Sequence, residues 1–249
     1  MGFIVGLVAS ILCFIIYNKM YKREQPAPMG KKNAFIPVGM GVLAPVLSTI
    51  AALLLAFAVS QATNGSVQEL PVAMRSFISS FILAGFTEEF IKFLLLLLAV
   101  KIVKPKNVYE YGILGAGIGF GFTGLEDAIY GDGSVAIAIS RIPTFALHMA
   151  FGVIMGVHFG LAKYEMQNNS GETRKHMILS LVIPVLWHTI YDAATASNFA
   201  LQAEEENTQI AGVMIALVVI IVSIILQFAV LRKIKKRCGE FCEKKTDNG

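Results

Sequence analysis

Charge is scarce in this sequence. Only 15% of its residues are Asp, Glu, Lys or Arg, against 55% hydrophobic ones, and the mean hydropathy is +0.66. That balance excludes an ordinary soluble domain and places the chain among polytopic membrane proteins. Long polar stretches are missing too: outside two basic segments near the ends, none exceeds about a dozen residues, which leaves no room for a separate soluble domain. Cysteine is nearly absent. Cys13 lies inside an apolar run, and Cys238 and Cys242 stand in a basic tail without the further Cys or His ligands a zinc site needs. The first apolar segment does not read as a cleavable leader. The apolar segment from Gly2 to Tyr17 has no positive charge ahead of it and no small-residue cleavage pattern, and its cations Lys19, Lys22 and Arg23 follow it. It reads as a retained first span with the N-terminus outside. The net charge of +4 sits in loops and the C-terminal tail, which points to membrane orientation and not to nucleic acid.

What is present is apolar runs of the right length. A bilayer core about 30 Å thick needs about 20 residues of helix, and seven segments qualify, roughly 2–18, 34–60, 74–100, 109–130, 136–162, 177–198 and 210–231. Lys and Arg segregate between them. They follow the first span (Lys19 to Lys32), the third (Lys101, Lys104, Lys106), the fifth (Lys163, Arg174, Lys175) and the seventh (Arg232 to Arg237). The other loops are neutral or acidic, notably the one holding Glu204, Glu205 and Glu206. The fold class is therefore all-α, a polytopic transmembrane helix bundle of about seven spans, N-terminus outside and C-terminus cytoplasmic. Residues 1–249 read as a single integral membrane domain with a catalytic core at about 74–198 and a basic cytoplasmic tail at 232–249. Glycines at four-residue spacing, Gly152, Gly156 and Gly160, and the glycine-rich run from Gly112 to Gly124, mark helices that approach closely. The Gly119, Gly121, Gly124 spacing is no dinucleotide fingerprint, since no strand precedes it.

Against this background four spans carry ionisable groups at depth, where each costs roughly 2.5 kcal/mol or more. The third holds Glu88, Glu89 and Lys92, and the fourth Glu126 and Asp127. The fifth holds Arg141 and His148, and the sixth His188 and Asp192. His188 and Asp192 are one helical turn apart, which suits two metal ligands or a histidine with its orienting carboxylate. His148 is in register with Gly152, Gly156 and Gly160, so it faces the tightly packed side of its helix. Glu88 and Glu89 lie about 100° apart around their axis; Glu88 can pair with Lys92 at i,i+4. Five acids against two embedded cations call for protonation, access to water or a divalent cation. His148, His188 and Glu89 form a natural ligand set, with zinc as the metal they suit. A water-filled cavity open to the extracytoplasmic side is expected. His158 lies off the His148 face and reads as structural, and His176 falls in a loop.

Taken together these motifs resemble the PrsW-type intramembrane proteases, within the wider group that includes the CAAX prenyl proteases and bacteriocin-immunity proteins. Glu88-Glu89-Phe90-Ile91-Lys92 is similar to their first motif and the glycine-rich run from Tyr111 to Tyr130 to their second. Arg141 through His148 to Gly156 is similar to the third, and His188 to Asp192 to the fourth. The acidic pair departs from the family pattern, with Asp127 where Asn is more usual. The resemblance implies an enzyme of the plasma membrane that cleaves a single-pass membrane protein near its extracytoplasmic boundary, anti-sigma factors being the best-known substrate class. It leaves open a metal site or a glutamate-activated water without metal. One of Glu88 and Glu89 is then the general base, and His148 and His188 bind the metal or stabilise the oxyanion. Asp192 orients His188 or completes the ligand set, and Glu126 is a further ligand or acid. The partners expected are that substrate and the lipid bilayer, with no nucleic acid. Two other classes compete: a proton- or ion-coupled transporter using the same carboxylates as a relay, and a non-catalytic scaffold or immunity-type membrane protein.

Overall fold

A computed structural model describes residues 2–24, 28–64, 66–130, 147–168, 171–195 and 206–236. Arg141, singled out above, lies outside the described residues. The described chain is helical, with no strand among those residues: α1 (Gly2–Tyr21), α2 (Lys31–Thr63), α3 (Val72–Ser80), a π-helical segment (Phe81–Phe86), α4 (Thr87–Val103), α5 (Val108–Tyr130), α6 (Leu147–Gln167), α7 (Thr173–Thr195) and α8 (Glu206–Lys236). α3, the π segment and α4 run on without a break, so, apart from a short 3-10 turn at Ser66–Glu69, the described residues form seven helical rods. Among the described residues four helices are long and apolar enough to cross a membrane: Gly2–Tyr21, Lys31–Thr63, Thr173–Ala194 and Ile210–Ile234. They show outward rows of large apolar side chains, such as Leu43, Leu54 and Phe57 on α2 and Val218, Ile221 and Ile225 on α8. Water would penalise such a surface, whereas lipid solvates it.

At the centre stands α5, buried on every face over most of its length and packed on α1, α2, α4, α6 and α8. Its glycines make that possible. A Cβ on Gly115 would run into the carbonyl oxygen of Gly152, and one on Gly152 into the carbonyl of Gly115, so α5 and α6 touch backbone to backbone. This is the small-residue packing read from the Gly152, Gly156, Gly160 spacing. On the opposite side of α5 the Gly117 site is closed by the ring of Pro37 and the hydroxyl of Tyr17. That hydroxyl donates to the Ala34 carbonyl and ties α1 to α2.

At one end of the bundle the chain turns are pinned by polar groups. Tyr109 Oη donates to the Met20 carbonyl (2.7 Å), and the Glu24 carboxylate accepts from Met29 N (2.7 Å) and Asn107 Nδ2 (3.2 Å). His176, expected in a loop, sits instead in the first turn of α7, its amide bonded to the Glu172 carbonyl. There its Nδ1 meets Nδ1 of His158 at 3.0 Å and joins α7 to α6.

Candidate active site

The first wall of the site is the rod that carries the glutamate pair. Just ahead of the pair the helix widens into the π segment, and Thr87 Oγ1 donates to the Ile82 carbonyl five residues back. Gly85 closes this segment onto α7: a Cβ there would collide with Thr189 Oγ1 and approach the Val185 carbonyl. Glu89 follows Gly85 by one turn, on the same face. It therefore meets the residue beside Thr189, and His188 Nδ1 lies 2.8 Å from Glu89 Oε1. Lys92 is three residues beyond Glu89 and four beyond Glu88, and its ammonium reaches both, at 2.8 Å and 3.3 Å.

The second wall comes from α5 and α6. A Cβ on Gly119 would strike the backbone of His148, so the start of α6 lies directly on α5 at that level. Along the same stripe of α5 follow Phe122 and Glu126. The Phe122 ring centroid is 4.6 Å from that of His148 and 3.6 Å from Lys92 Nζ, which sits over its face. Glu126 Oε2 is 2.6 Å from His148 Nε2, and the other ring nitrogen, Nδ1, faces Lys92 Nζ at 3.1 Å. The third wall is α7, where Asp192 Oδ2 stands 3.4 Å from His188 Nε2 and Glu88 Oε2 stands 3.9 Å from the same atom. The two imidazoles are 5.2 Å apart, with Phe151 packed against both.

All six candidate residues, Glu88, Glu89, Glu126, His148, His188 and Asp192, thus converge on one centre from four helices. Asp127 does not join it. It is buried within electrostatic reach of Cys13 on α1, beside the close approach of Ala128 to Gly6. Burial is graded across the site. The side chains of Glu89, Lys92 and His188 are 0%, 2% and 3% exposed, whereas Glu88, Glu126 and Asp192 keep 15%, 12% and 17%. The former make a closed floor and the latter a rim. Sequence reasoning assigned Lys92 to Glu88 alone. Its contacts with Glu89, His148 and Phe122 make it the hub of the cluster; the i,i+3 spacing to Glu89 could have been read, the other two could not.

Glu88, Glu89, His148 and His188 each offer a ligand atom within 4.8 Å of one another. Glu89 Oε2 is fully buried and has no hydrogen-bond partner, an expensive state for a carboxylate oxygen. Two imidazoles and two carboxylates are a donor set that zinc takes, and the bare oxygen has room in its bonding for an ion. The residues therefore fit a divalent metal, with Lys92 already holding one positive charge among the same donors.

Fold and site together define an all-helical, membrane-type bundle with a buried acid, histidine and lysine centre. A family model described as PrsW family intramembrane metalloprotease matches residues 36–226, and the chain belongs to that family. It is 38% identical over 120 residues to Protease PrsW of Halalkalibacterium halodurans, a stretch covering 47% of this chain and 54% of that protein. To Protease PrsW of Bacillus subtilis it is 34% identical over 121 residues, with the same shares of 47% and 54%. To that of Geobacillus kaustophilus it is 28% identical over 164 residues, 64% of each chain. The chain spans about half the length of the first two relatives. No solved structure matches it.

Proposed function

We propose that this chain is an intramembrane endopeptidase of the plasma membrane, spanning it about seven times with the N-terminus outside and the C-terminus in the cytoplasm. Its substrate is a single-pass membrane protein cut near the extracytoplasmic boundary, an anti-sigma factor being the substrate class that family membership favours. Residues 1–249 act as one membrane domain, with the catalytic core at about 74–198 and 232–249 as a basic cytoplasmic tail. The observation that carries the reading is the convergence of Glu88, Glu89 and His148 on the Lys92 ammonium, with His188 on Glu89.

The two glutamates divide the work. Glu88 stands at the rim, where water and a peptide reach it, and is the general base. Its carboxylate takes a proton from water, the water oxygen attacks the scissile carbonyl carbon, the C–N bond breaks, and the same carboxyl returns the proton to the leaving amine. Glu89 is enclosed and held by Lys92 and His188, so it fixes the floor. Lys92 and His148 flank the place where negative charge develops on the carbonyl oxygen. Asp192 orients His188, and Glu126 orients His148. With zinc bound, His148, His188 and Glu89 would hold it and Glu88 would stay free as the base; the metal would then supply the Lewis-acid polarisation of the carbonyl in place of His148.

The test is cleavage in membranes that contain the full chain and a tagged single-pass anti-sigma factor. A shortened product should appear with the wild type and vanish with Glu88→Gln, Glu89→Gln and His148→Ala. If all three variants still cut, the reading is wrong.

A further inference from the structure

Helices α1 and α8 both rest on α5 without an extended contact between them. At one end of the bundle they leave a cleft of about 440 Å³, lined by Met20, Arg23, Tyr109, Phe228, Leu231 and Arg232. A second hollow of about 480 Å³ continues it along α8, sharing Phe228 and Arg232 and adding Lys233. The floor is apolar and firm. Met20, Tyr109 and Leu231 are buried, and the Tyr109 hydroxyl is spent on the Met20 carbonyl. Two arginines line this cleft from segments more than 200 residues apart in sequence, which only the fold brings together.

Neither arginine has an acidic partner among the described residues. The carboxylate next to Arg23 is unavailable to it, because Glu24 is turned inward onto Met29 N and Asn107 Nδ2. Arg23 lies two residues beyond the end of α1, and Arg232 two residues before the end of the apolar stretch Ile210–Ile234. Those are the depths at which a helix leaves the hydrocarbon and meets the phosphate layer. Guanidinium forks match phosphate oxygens in a bidentate way. An apolar slot directly beneath them suits an acyl chain.

We propose that this cleft is a binding site for one anionic phospholipid, its phosphate held between Arg23 and Arg232 and an acyl chain lying on Met20, Tyr109, Phe228 and Leu231. The lipid would close the gap between α1 and α8, and so fasten the first and last helices of the bundle through a ligand. Nothing in the site around Glu89 is needed for this binding.

The experiment uses the full chain, purified in a zwitterionic detergent and titrated with phosphatidylglycerol, with bound lipid counted by native mass spectrometry and stability followed by thermal unfolding. The wild type should retain one phosphatidylglycerol and melt at a higher temperature with it; phosphatidylcholine and inorganic phosphate should do neither. With each basic residue contributing about fivefold to binding of an anionic headgroup, R23Q/R232Q should weaken retention roughly 25-fold. Both side chains are exposed, so the variant folds, and its melting temperature without lipid should match the wild type. K19Q/K22Q removes the same charge from exposed positions of the same end that do not line the cleft, and should keep the lipid. Equal loss in K19Q/K22Q, equal retention of phosphatidylcholine, stabilisation by inorganic phosphate alone, or full retention by R23Q/R232Q would each overturn the proposal.

Discussion

Replacing Lys92 by methionine is the most demanding test of the site's electrostatics. The stem keeps its length and fills the same space, so the change is close to the loss of one ammonium. That ammonium is within 3.3 Å of two carboxylates, 3.1 Å from an imidazole nitrogen and 3.6 Å from the Phe122 ring centroid. Glu89 is entirely enclosed and cannot recover the lost partner from solvent. Removing one member of a buried ion pair costs about 3–5 kcal/mol, because the other charge is left desolvated. For a chain of this size about 1 kcal/mol corresponds to roughly 2–4 °C in melting temperature. Lys92→Met should therefore melt about 6–20 °C below the wild type. The measurement is thermal unfolding of purified protein in detergent with a chelator present, so that no divalent cation substitutes for the ammonium. Adding Glu89→Gln removes the stranded charge, and the double variant should regain most of the loss. A Lys92→Met protein within about 1 kcal/mol of wild type, or a double variant no more stable than the single one, would refute the reasoning.

Three further outcomes follow from the geometry. Glu88→Gln should lower cleavage by about 10²–10⁴ while leaving the melting temperature nearly unchanged, because the side chain sits at the rim; a rate comparison with a melting curve reads both. Gly152→Leu puts a side chain where the Gly115 carbonyl lies and should destabilise the α5–α6 contact by about 1–3 kcal/mol or more, seen in the same melting assay. Tyr17→Phe removes the α1–α2 hydrogen bond to the Ala34 carbonyl and should cost about 1 kcal/mol, with cleavage unaffected.

Much of the site was legible because charge is so costly in an apolar helix. Glu88, Glu89, Glu126, His148, His188 and Asp192 announce themselves by standing where almost nothing else is polar, and the fold does bring them together. Their register was legible too: four-residue spacing gave the His188–Asp192 face and the packed side of His148. What the sequence could not convey is contact between helices. Lys92 lies 56 residues from His148, and no periodicity links the two. Glu126 could equally have been an interfacial helix end; only the close approach of α5 and α6 at Gly119 delivers it to His148 Nε2. Asp127, its neighbour, is carried about 100° around the helix to the α1 side, which is why two adjacent acids have different surroundings. His176 falls just ahead of the apolar stretch that begins at 177 and so reads as loop, whereas the helix extends four residues beyond that stretch and begins at Thr173.

The π segment is the other feature that no pattern in the sequence announces, and it explains the asymmetry of the glutamate pair. Wide turns of this kind are uncommon and concentrate at functional sites. Here the turn is held from two sides. Thr87 Oγ1 takes up the Ile82 carbonyl, and the bare Cα of Gly85 lets α7 close against it until Thr189 and Val185 block further approach. The start of α4 is thereby fixed against α7 just before the two carboxylates. One of them then points at His188 and is sealed in, and its neighbour, about 100° away, stays partly exposed at the rim, 3.9 Å from His188 Nε2. Glu89 and Glu88 occupy those two positions. Lys92, one turn further on, reaches both, so a single cation serves a sealed acid and a partly exposed one. The asymmetry is what the proposed division of work between the two glutamates rests on: the same cation holds both, but only Glu88 keeps an exposed edge.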